Sequence, residues 1–108
     1  METSSQEVKT WRLLLYVAGE SARYRTALSD LKQVCEQYLD GNYSIEVVDV
    51  LVNPERAQRD HILAVPTVVK KTPLPERRLI GDLAHIELVL EKLDIPNTRR
   101  AAPENKAK

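Results

Sequence analysis

The reading of the whole chain turns on Val65-Pro66-Thr67-Val68-Val69, followed by Thr72-Pro73-Leu74-Pro75 and then Arg77-Arg78-Leu79-Ile80. The first piece is rich in β-branched residues, which suit a pleated, half-buried surface. Its proline stands at the start, where a strand tolerates a missing donor. Pro73 and Pro75 make a stiff turn. Two short strands joined by so short a turn pair antiparallel, so residues 65–80 predict a hairpin.

Upstream of that hairpin, Asn53-Pro54 opens a short helix over residues 54–63, with Asn53 as N-cap and Pro54 in the first helical position. Ala57, Ile62 and Leu63 are its inward residues. Residues 44–51, rich in Ile and Val, predict a strand before it. Asp40-Gly41-Asn42 breaks the chain ahead of that strand, with Gly41 suited to a helix C-terminal cap. From Ser21 onward the apolar spacing is helical: Leu28, Leu31, Cys35 and Tyr38, flanked by Val34 and Leu39, form one stripe. Residues 11–18 are almost continuously apolar and end at Gly19, the pattern of a strand buried on both faces. Downstream of the hairpin, Gly81-Asp82 punctuates, and Asp82 is the expected N-cap of a last helix over residues 83–93. Leu83, Ile86, Leu90 and Leu93 stripe that helix.

The order is β-α-β-α-β-β-α. Its opening strand, helix and strand form a right-handed parallel unit, to which the hairpin adds two antiparallel strands. This is the order of the thioredoxin fold: α/β, one mixed four-stranded sheet with three helices. That fold enters its third strand through a cis X-Pro bond, and only proline makes cis cheap. A cis Val65–Pro66 bond is therefore expected, with an ordinary trans proline at a strand start as the alternative. The expected domain covers residues 11–94, between a polar lead-in of residues 1–10 and a disordered basic tail of residues 95–108.

A chain of 108 residues holds one domain. Sixteen Lys and Arg balance sixteen Asp and Glu, which argues against a dedicated nucleic-acid binder. The first ten residues are polar and show no secretory signal, and nothing approaches a bilayer-spanning apolar run. With the single Cys35, which excludes an internal disulfide, this predicts a reduced, cytoplasmic protein.

None of the reactive residue types stands in a catalytic pattern. A thiol oxidoreductase carries its nucleophile after the first strand, where a helix N-terminus lowers the thiol pKa. Ala18-Gly19-Glu20-Ser21 occupies that place and holds no sulfur. Cys35 falls in the apolar stripe and reads as a small core residue. His61 lies on a charged helix and His85 in the first turn of the last helix; neither has a second ligand at metal spacing, and both read as surface residues. Gly19 and Gly41 are isolated, so no phosphate loop is formed. Lys70-Lys71 and Arg77-Arg78 flank the turn as a solvated basic face. No catalytic residue, cofactor or metal site is expected.

Three stretches together resemble the KaiB family of circadian clock proteins. Leu13-Leu14-Leu15-Tyr16-Val17-Ala18-Gly19 is similar to the family's first strand end, and Val48-Asp49-Val50-Leu51 through Asn53-Pro54 to its second. The most specific is Ile62-Leu63-Ala64-Val65-Pro66-Thr67 with Pro73-Leu74-Pro75-Glu76-Arg77-Arg78-Leu79-Ile80-Gly81-Asp82-Leu83. The resemblance implies a non-enzymatic adaptor that binds a KaiC-type RecA-like ATPase ring, competes there with a sensor histidine kinase and sequesters a KaiA-like protein. It also implies fold switching between a thioredoxin-like monomer and a resting form, often a tetramer, with a rearranged C-terminal half. The thioredoxin-like form is expected here, with Pro66, Pro73, Pro75, Gly81 and Asp82 marking the switching segment. In that form the second strand lies at a sheet edge and can accept another strand. Glu46, Val48, Asp49, Leu51 and Asn53 are therefore the expected partner-binding residues.

The chain departs from the family pattern at Glu20-Ser21-Ala22-Arg23-Tyr24, at Glu46 where Lys is frequent, and in its basic tail. Two other readings compete: a thioredoxin-like redox or glutathione-binding protein, and a stand-alone sensor domain similar to that of a clock histidine kinase.

Overall fold

Leucine, tyrosine and valine fill residues 13–17 without interruption, and all five side chains are buried on the two faces of β1 (Trp11–Val17). In the computed structural model, which describes residues 10–97, this strand is central. Around it stand α1 (Ala22–Tyr38), β2 (Tyr43–Asp49), α2 (Pro54–Arg59), β3 (Thr67–Thr72), β4 (Arg77–Ile80) and α3 (Ile86–Lys92). The sheet order is β2-β1-β3-β4, with β2 parallel to β1 and both hairpin strands antiparallel to their neighbours. The thioredoxin-like βαβαββα order, with its mixed four-stranded sheet and three helices, is thus the one the sequence predicts.

Side-chain alternation along β1 divides the interior in two. Leu13, Leu15 and Val17 join Leu31, Val34, Cys35, Val68, Leu79, Val89, Leu90 and Leu93 under α1 and α3. Leu14 and Tyr16 face the opposite way, with Val48 and Val69, beneath the α2 side. This second core is thin, because the residues covering it (Val50, Ala57, Ile62 and Val65) are themselves only half-buried.

Several boundaries differ from expectation for identifiable reasons. α2 stops at Arg59 rather than running to residue 63. His61 takes a left-handed φ of 56°, and the amides of His61 and Ile62 donate back to Gln58 and Ala57. That is a Schellman closure, which turns Ile62 inward and leaves Leu63 91% exposed instead of buried. β3 accordingly begins at Thr67, after the proline, and extends to Thr72. α3 begins at Ile86, not residue 83. The Asp82 carboxylate accepts from the Ala84 amide two residues on, forming a turn rather than a helix cap, and His85 takes the N-cap place. A second Schellman closure, with Asp94 at φ 60° and Ile95 N–H donating to Leu90 at 2.8 Å, brings Ile95 into the core. Packing therefore continues past the expected domain end at residue 94. Leu39 caps the end of α1, and it is Asp40, at φ 53°, that first turns left-handed, with Gly41 following it. The lead-in before residue 10 and the tail after residue 97 lie outside the described residues.

Val65–Pro66 is cis, as are Thr72–Pro73 and Leu74–Pro75. Gly81 N–H donates to the Pro66 carbonyl at 2.9 Å, joining the entry of β3 to the exit of β4.

Candidate functional site

β2 has β1 on one side only, so the main-chain groups along its outer side lack a strand partner among the described residues. Tyr43, Ile45 and Val47 pack against the larger core, whereas Ser44 and Glu46 stand exposed on the α2 face. Glu46 lies opposite Leu14 in the register and leans across to α2. There Arg56 donates to both its carboxylate oxygens, at 2.6 and 3.2 Å. The bidentate hydrogen bond holds the Glu46 carboxyl below its usual value.

The structure divides the expected partner-binding residues by role. Glu46 and Leu51 present side chains to solvent, Leu51 at 71% exposure. Val48 is 1% exposed, so its side chain belongs to the thin core and only its main chain reaches the edge. Asp49 closes the turn after β2: its carboxylate accepts from the Gly19 amide at 3.0 Å and the Leu51 amide at 2.9 Å. Asn53 occupies the N-cap of α2 without a side-chain cap bond, while its carbonyl accepts from Arg56 and Ala57. Val52, equally exposed at 71%, completes an apolar flank beside Leu51 that sequence reasoning passed over.

Sequence reasoning also missed the groups that hold the end of α2. Asp60 accepts from the Tyr16 hydroxyl at 2.5 Å and from Lys71 at 2.9 Å. Burial alone would raise the Asp60 carboxyl, yet the two hydrogen bonds and the Lys71 charge outweigh it and the net direction is down. Tyr16 is pushed up to about 12, first by burial and then by its bond to Asp60. Glu76 lies 3.7 Å from Lys71 and 3.8 Å from Arg78, and Arg78 donates to the His61 carbonyl at 3.4 Å. Only the strict alternation of β1 and β3 hinted that Tyr16 and Lys71 share a face.

A groove of about 290 Å³ lies at the start of α1, lined by Val17, Ala18, Ser21, Arg23, Tyr24, Val65 and Pro66. It is predominantly apolar and carries no thiol. Cys35 is fully buried, and burial, with Glu36 nearby, pushes its thiol up to about 12. At neutral pH it is protonated and enclosed, the opposite of an activated nucleophile. Among the described residues no group of three His, Cys, Asp or Glu side chains could hold a metal ion, and no helix is long and apolar enough to cross a membrane.

Comparison with known proteins agrees with this geometry. In fold, the chain is similar to the N-terminal domain of Synechococcus elongatus SasA, with a TM-score of 0.69 at 14% identity over 86% of this chain and 88% of that one. It is similar also to mitochondrial thioredoxin 3 of Saccharomyces cerevisiae, with a TM-score of 0.61 at 16% identity over 80% and 78% of the two chains. In sequence it is 49% identical to the circadian clock oscillator protein KaiB of Synechococcus elongatus over 81% of this chain and 85% of that protein. It is 40% identical to the circadian clock protein KaiB3 of a Synechocystis species over 77% and 81%. The KaiB domain model matches residues 14–95, nearly the whole described fold, and the chain belongs to the KaiB family.

Proposed function

We propose that this protein is a non-enzymatic, cytoplasmic clock-type adaptor that binds a KaiC-type RecA-like ATPase ring through the outer edge of β2 and its flank. Binding there modulates the ring's output and the access of other partners, a KaiA-like protein or a sensor histidine kinase. The observation that carries this reading is the outer edge of β2, without a strand partner among the described residues, with Glu46 on it and Leu51 beyond it, in a chain of the KaiB family. Main-chain groups of an open edge supply affinity for another extended segment, and the side chains at its margin supply selectivity. Glu46 and Leu51 contribute by side chain, Val48 by main chain, and Asp49 and Asn53 by holding the turn. A redox or glutathione-dependent role has less support, because the α1 start lacks sulfur and the Cys35 thiol is sealed. The sensor-domain alternative shares the fold, but the sequence identity favours KaiB.

The test is complex formation between the full chain and a purified KaiC-type hexamer, followed by size-exclusion chromatography. A complex whose affinity shifts with Glu46→Lys, at an unchanged melting temperature, supports the reading. Absence of a complex, or indifference to substitutions all along β2, overturns it.

The binding form is a thioredoxin-like monomer, and Pro66, Pro73, Pro75, Gly81 and Asp82 mark the segment through which a tetrameric second fold exchanges with it. Helical NMR shifts over Ile86–Lys92, extended shifts over Thr67–Thr72 and a monomer in sedimentation support that balance. Helix at residues 68–71, or a tetramer at micromolar concentration, would show the second fold to dominate.

A further inference from the structure

α2 is held differently from the other helices. It has six residues, none of them buried, and is too short to persist without tertiary anchors. Each of the four strands sends one polar side chain to the α2 segment. Tyr16 of β1 and Lys71 of β3 meet Asp60, Glu46 of β2 meets Arg56, and Arg78 of β4 meets the His61 carbonyl. Asp60 receives two of these four anchors and is the most sheltered acidic group among them, with its side chain 15% exposed against 51% for Glu46. Sheltered charge contacts are screened less by water and salt than open ones, so Asp60 is the stronger fastening. Arg56 and Asp60 stand four residues apart, one helical turn, so whatever fixes Asp60 also fixes the direction in which Arg56 points.

We propose that Asp60 pins α2 to the sheet and thereby keeps Arg56 on Glu46, so that release of α2 unmasks a free carboxylate on the edge of β2. In the pinned state the β2 margin offers a neutralised pair; in the released state it offers a negative charge to a cationic partner strand. That consequence for binding rests on the β2-edge reading of the function, whereas the coupling between Asp60 and Glu46 does not. The groups facing this network are Arg12 and Tyr16 on β1, Glu46 on β2, Arg56 on α2, Lys71 on β3, Arg78 on β4 and Glu76 in the hairpin turn.

The experiment needs no partner. The Glu46 carboxyl is titrated by carbon-13 NMR in the full chain and in Asp60→Ala, Tyr16→Phe and Arg56→Ala, with amide hydrogen exchange measured in parallel. Asp60→Ala is expected to raise the Glu46 pKa toward that in Arg56→Ala. It should also speed exchange at Ala57, His61 and Ile62 by about tenfold or more beyond any change at residues 27–35 of α1. Tyr16→Phe, which keeps the ring and removes one anchor, is expected to move both readouts in the same direction by less, and stands in if Asp60→Ala fails to fold. A Glu46 titration unchanged in the variants, or equal acceleration in α1 and α2, overturns the proposal. Because no binding is measured, failure here leaves the β2-edge reading standing, and failure of that reading leaves this coupling standing.

Discussion

Arg56 grips Glu46 with both terminal guanidinium nitrogens, one at 2.6 Å and the other at 3.2 Å, across the open margin of the sheet. The pair joins the edge strand to a helix with no buried residue of its own. Both side chains remain well solvated, so their attraction adds only about 0–1 kcal/mol to folding. Its larger effect is on the charge displayed at the edge, where Arg56 neutralises Glu46. Arg56→Ala is therefore expected to leave the melting temperature within a few degrees of the native value. The same change should strengthen binding to a cationic strand and weaken binding to an anionic one. Interferometry against a KaiC-type ring at low and high salt, beside calorimetry, checks both halves; a large drop in stability would contradict the assignment.

Cys35 sits at zero exposure among Leu31, Val34 and Leu39 of the larger core. Its thiol, held protonated by burial, is expected to resist a disulfide reagent in the native state and to react at once in denaturant. Cys35→Ser places a hydroxyl where no water reaches, at a cost of about 1–3 kcal/mol. Neither protein should reduce insulin in the presence of dithiothreitol. A native rate that the substitution abolishes would restore the redox reading.

Alkaline stability should depend on Tyr16. Its folded value of about 12 lies above that of an unfolded tyrosine, near 10, so the native state holds the proton more tightly. The contribution is complete below about pH 10 and disappears as pH climbs from there toward 12. Tyr43, raised through its hydrogen bond to Glu36, slopes the same way, so the informative comparison is between the native chain and Tyr16→Phe. At the acid end Asp60 works in the other direction. Its lowered carboxyl contributes above the ordinary aspartate range, and the contribution fades as pH falls through the folded value. Melting temperatures across the pH range should show Tyr16→Phe flattening the alkaline limb. Parallel limbs would count against the Tyr16–Asp60 bond.

Lys70 is 1% exposed, with its ammonium 5.0 Å from the Trp11 ring centroid. Burial lowers its pKa, Asp94 opposes that and Arg77 reinforces it. The cation–π contact returns about 0.5–2 kcal/mol, against a desolvation cost of comparable or larger size. Lys70→Met keeps the stem packing and removes the charge, so thermal stability is expected to hold or rise by up to about 2 kcal/mol. A clear loss in calorimetry would show that the Trp11 contact outweighs the buried charge.

Local preference and periodicity determined most of the architecture. The apolar run of β1 from Leu13 to Val17 marks a strand covered on both faces, the three- and four-residue spacing from Leu28 to Leu39 marks α1, and Pro66 marks the entry of the hairpin as Pro73 and Pro75 mark its turn. Those signals are contained in adjacent residues, so they are legible without coordinates. The edge position of β2 followed from the order of the elements, and with it the choice of Glu46 and Leu51. What the tertiary structure decided depends on partners distant in sequence. Val48 is core because Val50, Ala57, Ile62 and Val65 pack against the cluster it shares with Leu14, Tyr16 and Val69. Asp60 is an anchor because Tyr16, forty-four residues earlier, and Lys71, eleven later, converge on it. Lys70 is buried where the sequence reads a solvated basic face, since its alternation on β3 points it toward Trp11. Helix ends at His61 and Asp94 belong to the same class: a left-handed turn at a residue other than glycine is stabilised by the apolar contact that follows, and that contact exists only once the core has closed.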